Sequence, residues 1–194
     1  MTGIILAGGR SSRMGQDKAL MNVGGVPVFK RILNVFEDIF DDILIITNKE
    51  GRFAGYGYPE IVDIIPDRGP LGGIYTGLNN AKSGSIFVAS CDLPFIHTSI
   101  VKMIIKGSNI YDIVVPDIDG LLHPLHAAYS KRCMPYILER LENGSPNITG
   151  FINEVQGLTV RRIKNDELVN EDPDFRSVFN MNTQTDWQEA NTLL

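Results

Sequence analysis

Three stretches of the chain place polar and charged side chains where a reaction could use them. The first, Leu6-Ala7-Gly8-Gly9-Arg10-Ser11-Ser12-Arg13-Met14-Gly15-Gln16-Asp17-Lys18, continues a short apolar run, Gly3-Ile4-Ile5-Leu6. Gly8-Gly9 allows positive φ and close backbone approach, so amide N–H groups can point at phosphate or base edges. Arg10, Arg13 and Lys18 then offer charge-assisted donors to phosphate oxygens. Gly15-Gln16-Asp17-Lys18 lacks the Gly-Lys-Ser/Thr ending of a Walker loop, and no Gly-x-Gly-x-x-Gly fingerprint is present. The second stretch, Ser90-Cys91-Asp92-Leu93-Pro94-Phe95, closes the apolar run Ser85–Ala89. A carboxylate at the end of a buried strand can hold Mg²⁺, which takes carboxylate, water and phosphate oxygens; the same position also suits a turn or cap aspartate. The third, Gly69-Pro70-Leu71-Gly72-Gly73, precedes a helical period, and its amides and the helix N-terminus could face a nucleotide or form an ordinary loop.

Other chemistries are excluded. The histidines His97, His123 and His126 have no His-Glu-x-x-His spacing, which argues against zinc catalysis. Cys91 and Cys133 are too few for a disulfide framework or a four-ligand zinc site, and both are expected reduced. Cys91 is read as a small buried residue, with no base fixed beside it to make it a nucleophile.

The elements that must position these residues alternate. Strands are expected at Gly3–Leu6, Ile43–Thr47, Glu60–Asp63, Ser85–Ala89 and Asp112–Val115, most of them apolar throughout, as in a parallel sheet covered on both faces. Between them, Pro27 opens a helix with Val28, Ile32, Val35, Phe36 and Ile39 on one face. Further helices are expected over Ile74–Ala81, from an N-cap at Thr98 through Ile105, over Arg132–Leu141, and over Thr185–Leu194 with a Thr185-x-x-Gln188 capping box. Asp119-Gly120, between Val114-Val115 and Leu125–Tyr129, predicts an antiparallel hairpin insertion, and Arg161 and Arg162 fall on a further strand. This order predicts an α/β, mostly parallel, doubly wound sheet with helices on both faces. At 194 residues it is expected to be a single domain.

With 18 Lys+Arg against 23 Asp+Glu the net charge is −5, which argues against a general nucleic-acid binder. The cations that could meet an anion instead gather in the glycine loop, which suits a small phosphate ligand. No apolar run approaches the roughly 18 residues of a membrane span, and the N-terminus lacks a basic leader, so a cytoplasmic location is expected.

The pattern Leu6-Ala7-Gly8-Gly9-x-Ser11-x-Arg13-Met14-Gly15-x-Asp17-Lys18 resembles the N-terminal signature of the molybdenum cofactor guanylyltransferases, nucleotidyltransferases of Rossmann-like fold. Related sugar-phosphate enzymes favour a Gly-Thr-Arg continuation. Cytidylyltransferases tend to carry Ala-Ala-Gly where this chain has Ala7-Gly8-Gly9, and Gly8 removes a methyl beside the base, which fits guanine. The resemblance runs from Gly3 to Trp187. It implies transfer of GMP from GTP to the terminal phosphate of molybdopterin, with release of pyrophosphate. The nucleotide half would cover about 1–96 and the acceptor half about 97–194. Carried over residue by residue, it implies Arg13, Lys18 and Asp92 as catalytic groups, with Mg²⁺ on Asp92 of the Cys-Asp-x-Pro motif. It implies nucleotide or acceptor contacts at Leu6, Ala7, Gly8, Gly9, Lys18, Asp63, Gly72 and Asp92, and at Asn180 and Asn182 of an Asn-x-Asn-Thr motif. Asp67 competes with Asp63 for the nucleoside. His123-Pro124 resembles a segment near the acceptor, although a hairpin-edge histidine fits it equally. Gly144–Thr149 departs from members that carry arginines facing the pterin. Transient contacts with other molybdenum-cofactor proteins and acceptor molybdoenzymes are implied as well. Another nucleotidyltransferase, using CTP or another phosphorylated acceptor, or a non-catalytic GTP-binding module, remains the alternative.

Overall fold

The computed structural model describes residues 1–8 and 17–194. In chain order the elements are β1 (Thr2–Leu6), a 3₁₀ turn at Lys18–Leu20, β2 (Asn22–Val23), β3 (Val26–Pro27), α1 (Val28–Glu37), β4 (Asp42–Thr47), β5 (Glu60–Val62), α2 (Gly69–Asn80) and β6 (Ser85–Ser90). They continue with α3 (Thr98–Gly107), β7 (Ile113–Ile118), β8 (Leu121–Leu122), β9 (His126–Ser130), α4 (Met134–Glu142), α5 (Ile148–Glu154), β10 (Val160–Lys164), α6 (Asn165–Leu168) and α7 (Gln184–Thr192).

Among the described residues the main sheet has eight strands in the order β10-β7-β9-β6-β1-β4-β5, with β8 on β7. The pairs β1/β4, β1/β6, β4/β5 and β10/β7 are parallel, and β9 runs antiparallel between β6 and β7. Alternate strand residues feed two cores, as parallel strands covered on both faces must. Ile5, Phe87, Ala89 and Val114 pack with Phe29, Ile32 and Phe36 of α1 and Ile100 and Ile104 of α3. Ile4, Leu6, Val88 and Val115 pack with Leu71, Ile74 and Leu78 of α2, Ile137 of α4 and Phe151 of α5. The predicted α/β architecture is therefore the observed one.

Several predicted boundaries shift. The second helix starts at Gly69, five residues before Ile74; Gly69 has a φ of 61°, and Gly72 and Gly73 of its first turns pack against Ile65, Asp63 and Leu6. Thr98 is the first helical residue of α3, not its cap; His97 holds the cap position, and its Nδ1 lies 2.7 Å from the Ser99 hydroxyl. The segment from Lys131 opens as a 3₁₀ turn capped by Ser130 before α4 begins at Met134. The last helix is capped by Thr183 with Asp186, not by Thr185 with Gln188. The Asp186 carboxylate accepts from the amides of both Asn182 and Thr183, which a Gln at the later position could not reach. Asp119 and Gly120 have φ of 52° and 86°, the left-handed pair that a tight β7–β8 turn needs.

Candidate active site

Leu6 pairs with Ile46 on one side and Ser90 on the other, so β4, β1 and β6 end level with one another. A cavity of about 640 Å³ opens at these carboxyl ends, the position where open α/β sheets take ligands and within the ~300–1,000 Å³ usual for small-molecule sites. Leu6, Ile46 and Leu125 supply apolar lining, and Gly69, Pro70 and Gly73 bring in the first turns of α2. Gly8, Asn48, Asp63, Asp67, Ser90, Cys91 and Asp92 complete it. Among the described residues the lining therefore carries three carboxylates and no cation.

Each carboxylate is held differently. The Asp63 Oδ1 accepts from Thr76 Oγ1 at 2.7 Å and from the Ile65 amide at 3.0 Å. A Cβ on Gly72 would sit 3.2 Å from Asp63 Oδ2 and 2.8 Å from the Ile65 carbonyl oxygen. Asp63 is thus fixed by one oxygen with the other directed past a glycine, whereas Asp67 is exposed and has φ of 62°. Asp92 accepts from the hydroxyl of buried Ser90 through Oδ1. Cys91 lines the cavity as a half-buried residue rather than sitting wholly in the core. Burial, then the neighbouring Asp92 charge, push its thiol up to about 12, so it stays protonated and is no nucleophile.

A neighbouring side chain, not the backbone conformation, accounts for the glycine at position 8. Gly8 has no positive φ; a Cβ there would lie 2.5 Å from Asn48 Oδ1, so its role in the described structure is space. Ala7 is 1% exposed with its side chain in the core beneath α1. Its amide donates to the Ile46 carbonyl at 2.8 Å, and its carbonyl accepts from Arg52 Nη1. Gly72 is buried within the first turns of α2, and its neighbour Gly73 faces the cavity. Gly9, Arg10, Ser11, Arg13, Met14 and Gly15 lie outside the described residues.

The C-terminal motif meets Lys18 and Asp92. The Met181 amide donates to the Asp92 carbonyl at 2.9 Å, and Lys18 Nζ donates to Asn182 Oδ1 at 3.1 Å. Asn180 turns back to the Val178 carbonyl and is not drawn to Lys18. The His123-Pro124 segment is anchored by Tyr129, whose hydroxyl donates to the Pro124 carbonyl at 2.7 Å. His126 is buried on the other face of the sheet, edge-on to Phe87, and neither ring nitrogen has a hydrogen-bond partner among the described residues. At the Gly144–Thr149 departure, Asn147 caps α5 by accepting from the Gly150 amide.

Sequence reading missed Asn48, Thr76 and Arg52, and gave Ser90 no role of its own. Asn48 directly follows β4 and Ser90 ends β6, the same strand-end signal that singled out Asp92. Thr76 carries no local mark of its bond to Asp63.

With this geometry in place, the chain matches the family described as the MobA-like NTP transferase domain over residues 3–155. The chain belongs to the MobA-like NTP transferase family. Among its relatives is a molybdenum cofactor guanylyltransferase from Desulfosudis oleivorans, 35% identical, with 98% of this chain and 94% of that protein covered. A probable molybdenum cofactor guanylyltransferase from Pelotomaculum thermopropionicum is 34% identical, with 99% and 92% covered. The crystal structure of molybdopterin-guanine dinucleotide biosynthesis protein A from Archaeoglobus fulgidus superposes with a TM-score of 0.86, at 23% identity, over 100% of this chain and 98% of that one. The shared fold takes in the C-terminal segment beyond the matched 3–155. No helix among the described residues is long and apolar enough to cross a membrane.

Proposed function

We propose that the chain transfers GMP from GTP to the terminal phosphate of molybdopterin, releasing pyrophosphate and forming molybdopterin guanine dinucleotide. A molybdopterin phosphate oxygen attacks the α-phosphorus, the bond from that phosphorus to the α–β bridging oxygen breaks, and pyrophosphate carries away the charge. The observation that carries this reading is the joining of the two motif sets. Lys18 of the nucleotide signature reaches Asn182, and Asp92 is bonded to Met181 between the two asparagines. A group that binds the triphosphate is thereby held beside a group suited to the acceptor.

The attacking oxygen is already an anion, so no side chain need act as nucleophile or remove a proton. Catalysis then rests on positioning and on offsetting negative charge. Asp63 would accept from the guanine or ribose through its free oxygen, with Thr76 and the Ile65 amide keeping the carboxylate aimed. Leu6, Gly8 and Gly73 would form the bed for the nucleoside. Lys18 and Arg13 would offset charge on the triphosphate, and Asn180 and Asn182 would meet the pterin phosphate. The half up to about residue 96 would thus hold nucleotide, and the half from about 97 the acceptor.

The donor set also bears on a metal. Three carboxylates line a cavity meant for a polyanion, yet no group of three or more His, Cys, Asp or Glu among the described residues could hold an ion alone. That fits Mg²⁺, which uses one or two carboxylates and completes its shell with water and substrate phosphate. Asp92 would hold it through the oxygen Ser90 leaves free, and when bound it supplies charge neutralisation at the phosphates.

The test is product analysis with each nucleoside triphosphate in turn, with Mg²⁺ and molybdopterin. GMP incorporation alone is expected; incorporation of CMP and not GMP would refute the guanine assignment.

A further inference from the structure

Arg52 lies between β4 and β5, and no step of guanylyl transfer uses it. Its guanidinium donates through Nε and Nη2 to the two carboxylate oxygens of Asp17, and through Nη1 to the Ala7 carbonyl. Ala7 stands immediately before Gly8, and Asp17 immediately before Lys18, so one side chain ties together the two ends of the glycine-rich signature. Only a planar five-donor fork can serve a carboxylate bidentately and a carbonyl at once.

The fork is itself held from behind. The Glu60 carboxylate accepts from the Arg52 amide at 3.1 Å and from the Phe53 amide at 2.9 Å. Phe53, 1% exposed, stacks on Phe29 with ring centroids 4.2 Å apart, and the Arg52 guanidinium lies 4.9 Å from the Phe53 ring centre. Asp17 meanwhile caps the Lys18–Leu20 turn, accepting from the Ala19 amide at 3.2 Å, which sets the direction in which Lys18 departs toward Asn182. The side chains of Arg52 and Asp17 are 23% and 28% exposed, so this pair is screened less than a surface one.

We infer that Arg52 is a positioning residue: by clamping Ala7 and Asp17 it fixes the separation of the two ends of the nucleotide loop and the approach of Lys18, without touching the nucleotide. The inference rests on the guanylyl-transfer reading. A clamp of this kind sets the fraction of molecules ready to bind, and apparent affinity scales with that fraction. Chemistry in the bound complex is left as it was.

The experiment compares full-length wild type with Arg52→Met, Arg52→Lys, Asp17→Asn and the Arg52→Met/Asp17→Asn double variant. Equilibrium titration with Mg²⁺–GTP is run beside steady-state transfer to molybdopterin. In Arg52→Met, Kd and KM for GTP should rise about tenfold with kcat within about twofold of wild type. Arg52→Lys should be as impaired as Arg52→Met, because an ammonium cannot serve both partners in this geometry. The double variant should be no worse than Arg52→Met alone, since both changes remove one interaction. The clamp is overturned if Arg52→Lys matches wild type, if the two single effects add, or if kcat falls a hundredfold with KM unchanged, which would put Arg52 on the reacting phosphates. Should Arg52→Met fail to fold, Arg52→Lys and Asp17→Asn carry the same comparison. Wild type that binds no GTP would instead count against the functional reading.

Discussion

Replacing Gly72 by alanine tests whether α2 and Asp63 are held in register by a missing methyl. The added Cβ would lie 2.8 Å from the Ile65 carbonyl oxygen and 3.2 Å from Asp63 Oδ2. The first contact is with backbone, which cannot rotate away, so the N-terminal turn of α2 or the 63–65 segment must shift by a few tenths of an ångström. Overpacking of this kind costs about 1–3 kcal/mol. Against it stands about 0.5–1 kcal/mol gained from alanine's helical preference. The clash wins, leaving a net loss of about 1 kcal/mol, or roughly 2–4 °C in Tm for a chain of this size. Two controls separate the causes. Gly84 has no neighbour within 4 Å and no positive φ, so Gly84→Ala should leave Tm unchanged. Gly69 also has open space but φ of 61°, so Gly69→Ala should lose about 1–2 kcal/mol through backbone strain alone. Thermal melting by circular dichroism gives the three values, and GTP titration gives the second readout. Gly72→Ala should weaken GTP binding because Asp63 moves, and Gly84→Ala should not. If Gly72→Ala melts and binds like Gly84→Ala, the packing argument for this glycine is wrong.

Other predictions follow from the same geometry. Asp92→Ala and Lys18→Ala should each lower guanylyl transfer by roughly 10²–10³, as loss of one preorganised charge contact does; near-normal turnover by either variant would remove its assigned role. Isothermal titration should find Mg²⁺ bound tightly only with GTP present, because Asp92 alone cannot complete its shell; tight binding to the free protein would contradict a phosphate-completed site. Asp63→Ala should raise the KM for GTP by about 10–100-fold through loss of a charged hydrogen bond, and Asp67→Ala should change it little; the reverse order would transfer the nucleoside contact to Asp67. Burial and the neighbouring His123 push His126 from 6.5 down to about 3, so below pH 6.5 the unfolded chain takes up a proton that the folded chain refuses. Between pH 6.5 and 3 wild type should therefore lose stability faster than His126→Leu, by up to about 1.4 kcal/mol per pH unit. Denaturant melts across that range check the slope, and parallel slopes would mean His126 is protonated in the fold. At neutral pH His126→Leu should retain most transfer activity.

What the chain reveals before folding depends on how local the physics is. The strands β1, β4 and β6 are runs of Ile, Leu, Val and Phe buried on both faces, so their apolar pattern announces them, and with them the sheet edge that carries Asp92. The start of α2 is hidden because Gly69, Gly72 and Gly73 read as a loop. Gly69 is needed for its φ of 61°, and the later glycines for space against neighbours: a Cβ on Gly72 would meet the Ile65 carbonyl, one on Gly73 would meet Leu6, and one on Gly77 would meet Ile4. The final cap is misread by two residues because Thr183 and Thr185 are equally good caps by type, and only Asp186's reach to two amides decides between them. The choice between Asp63 and Asp67 turns on Thr76, thirteen residues beyond Asp63. Arg52 is the least legible, since its partners Asp17 and Ala7 lie 35 and 45 residues away.

Guanylyl transfer requires GTP and molybdopterin to meet at the carboxyl ends of β4, β1 and β6. Its most direct test is pyrophosphate release from GTP by the full chain with Mg²⁺, measured with and without molybdopterin. Release is expected to require the acceptor and to match dinucleotide formed, one for one. GTP binding without pyrophosphate release when both substrates and Mg²⁺ are present would contradict it, and would make the protein a nucleotide-binding module instead.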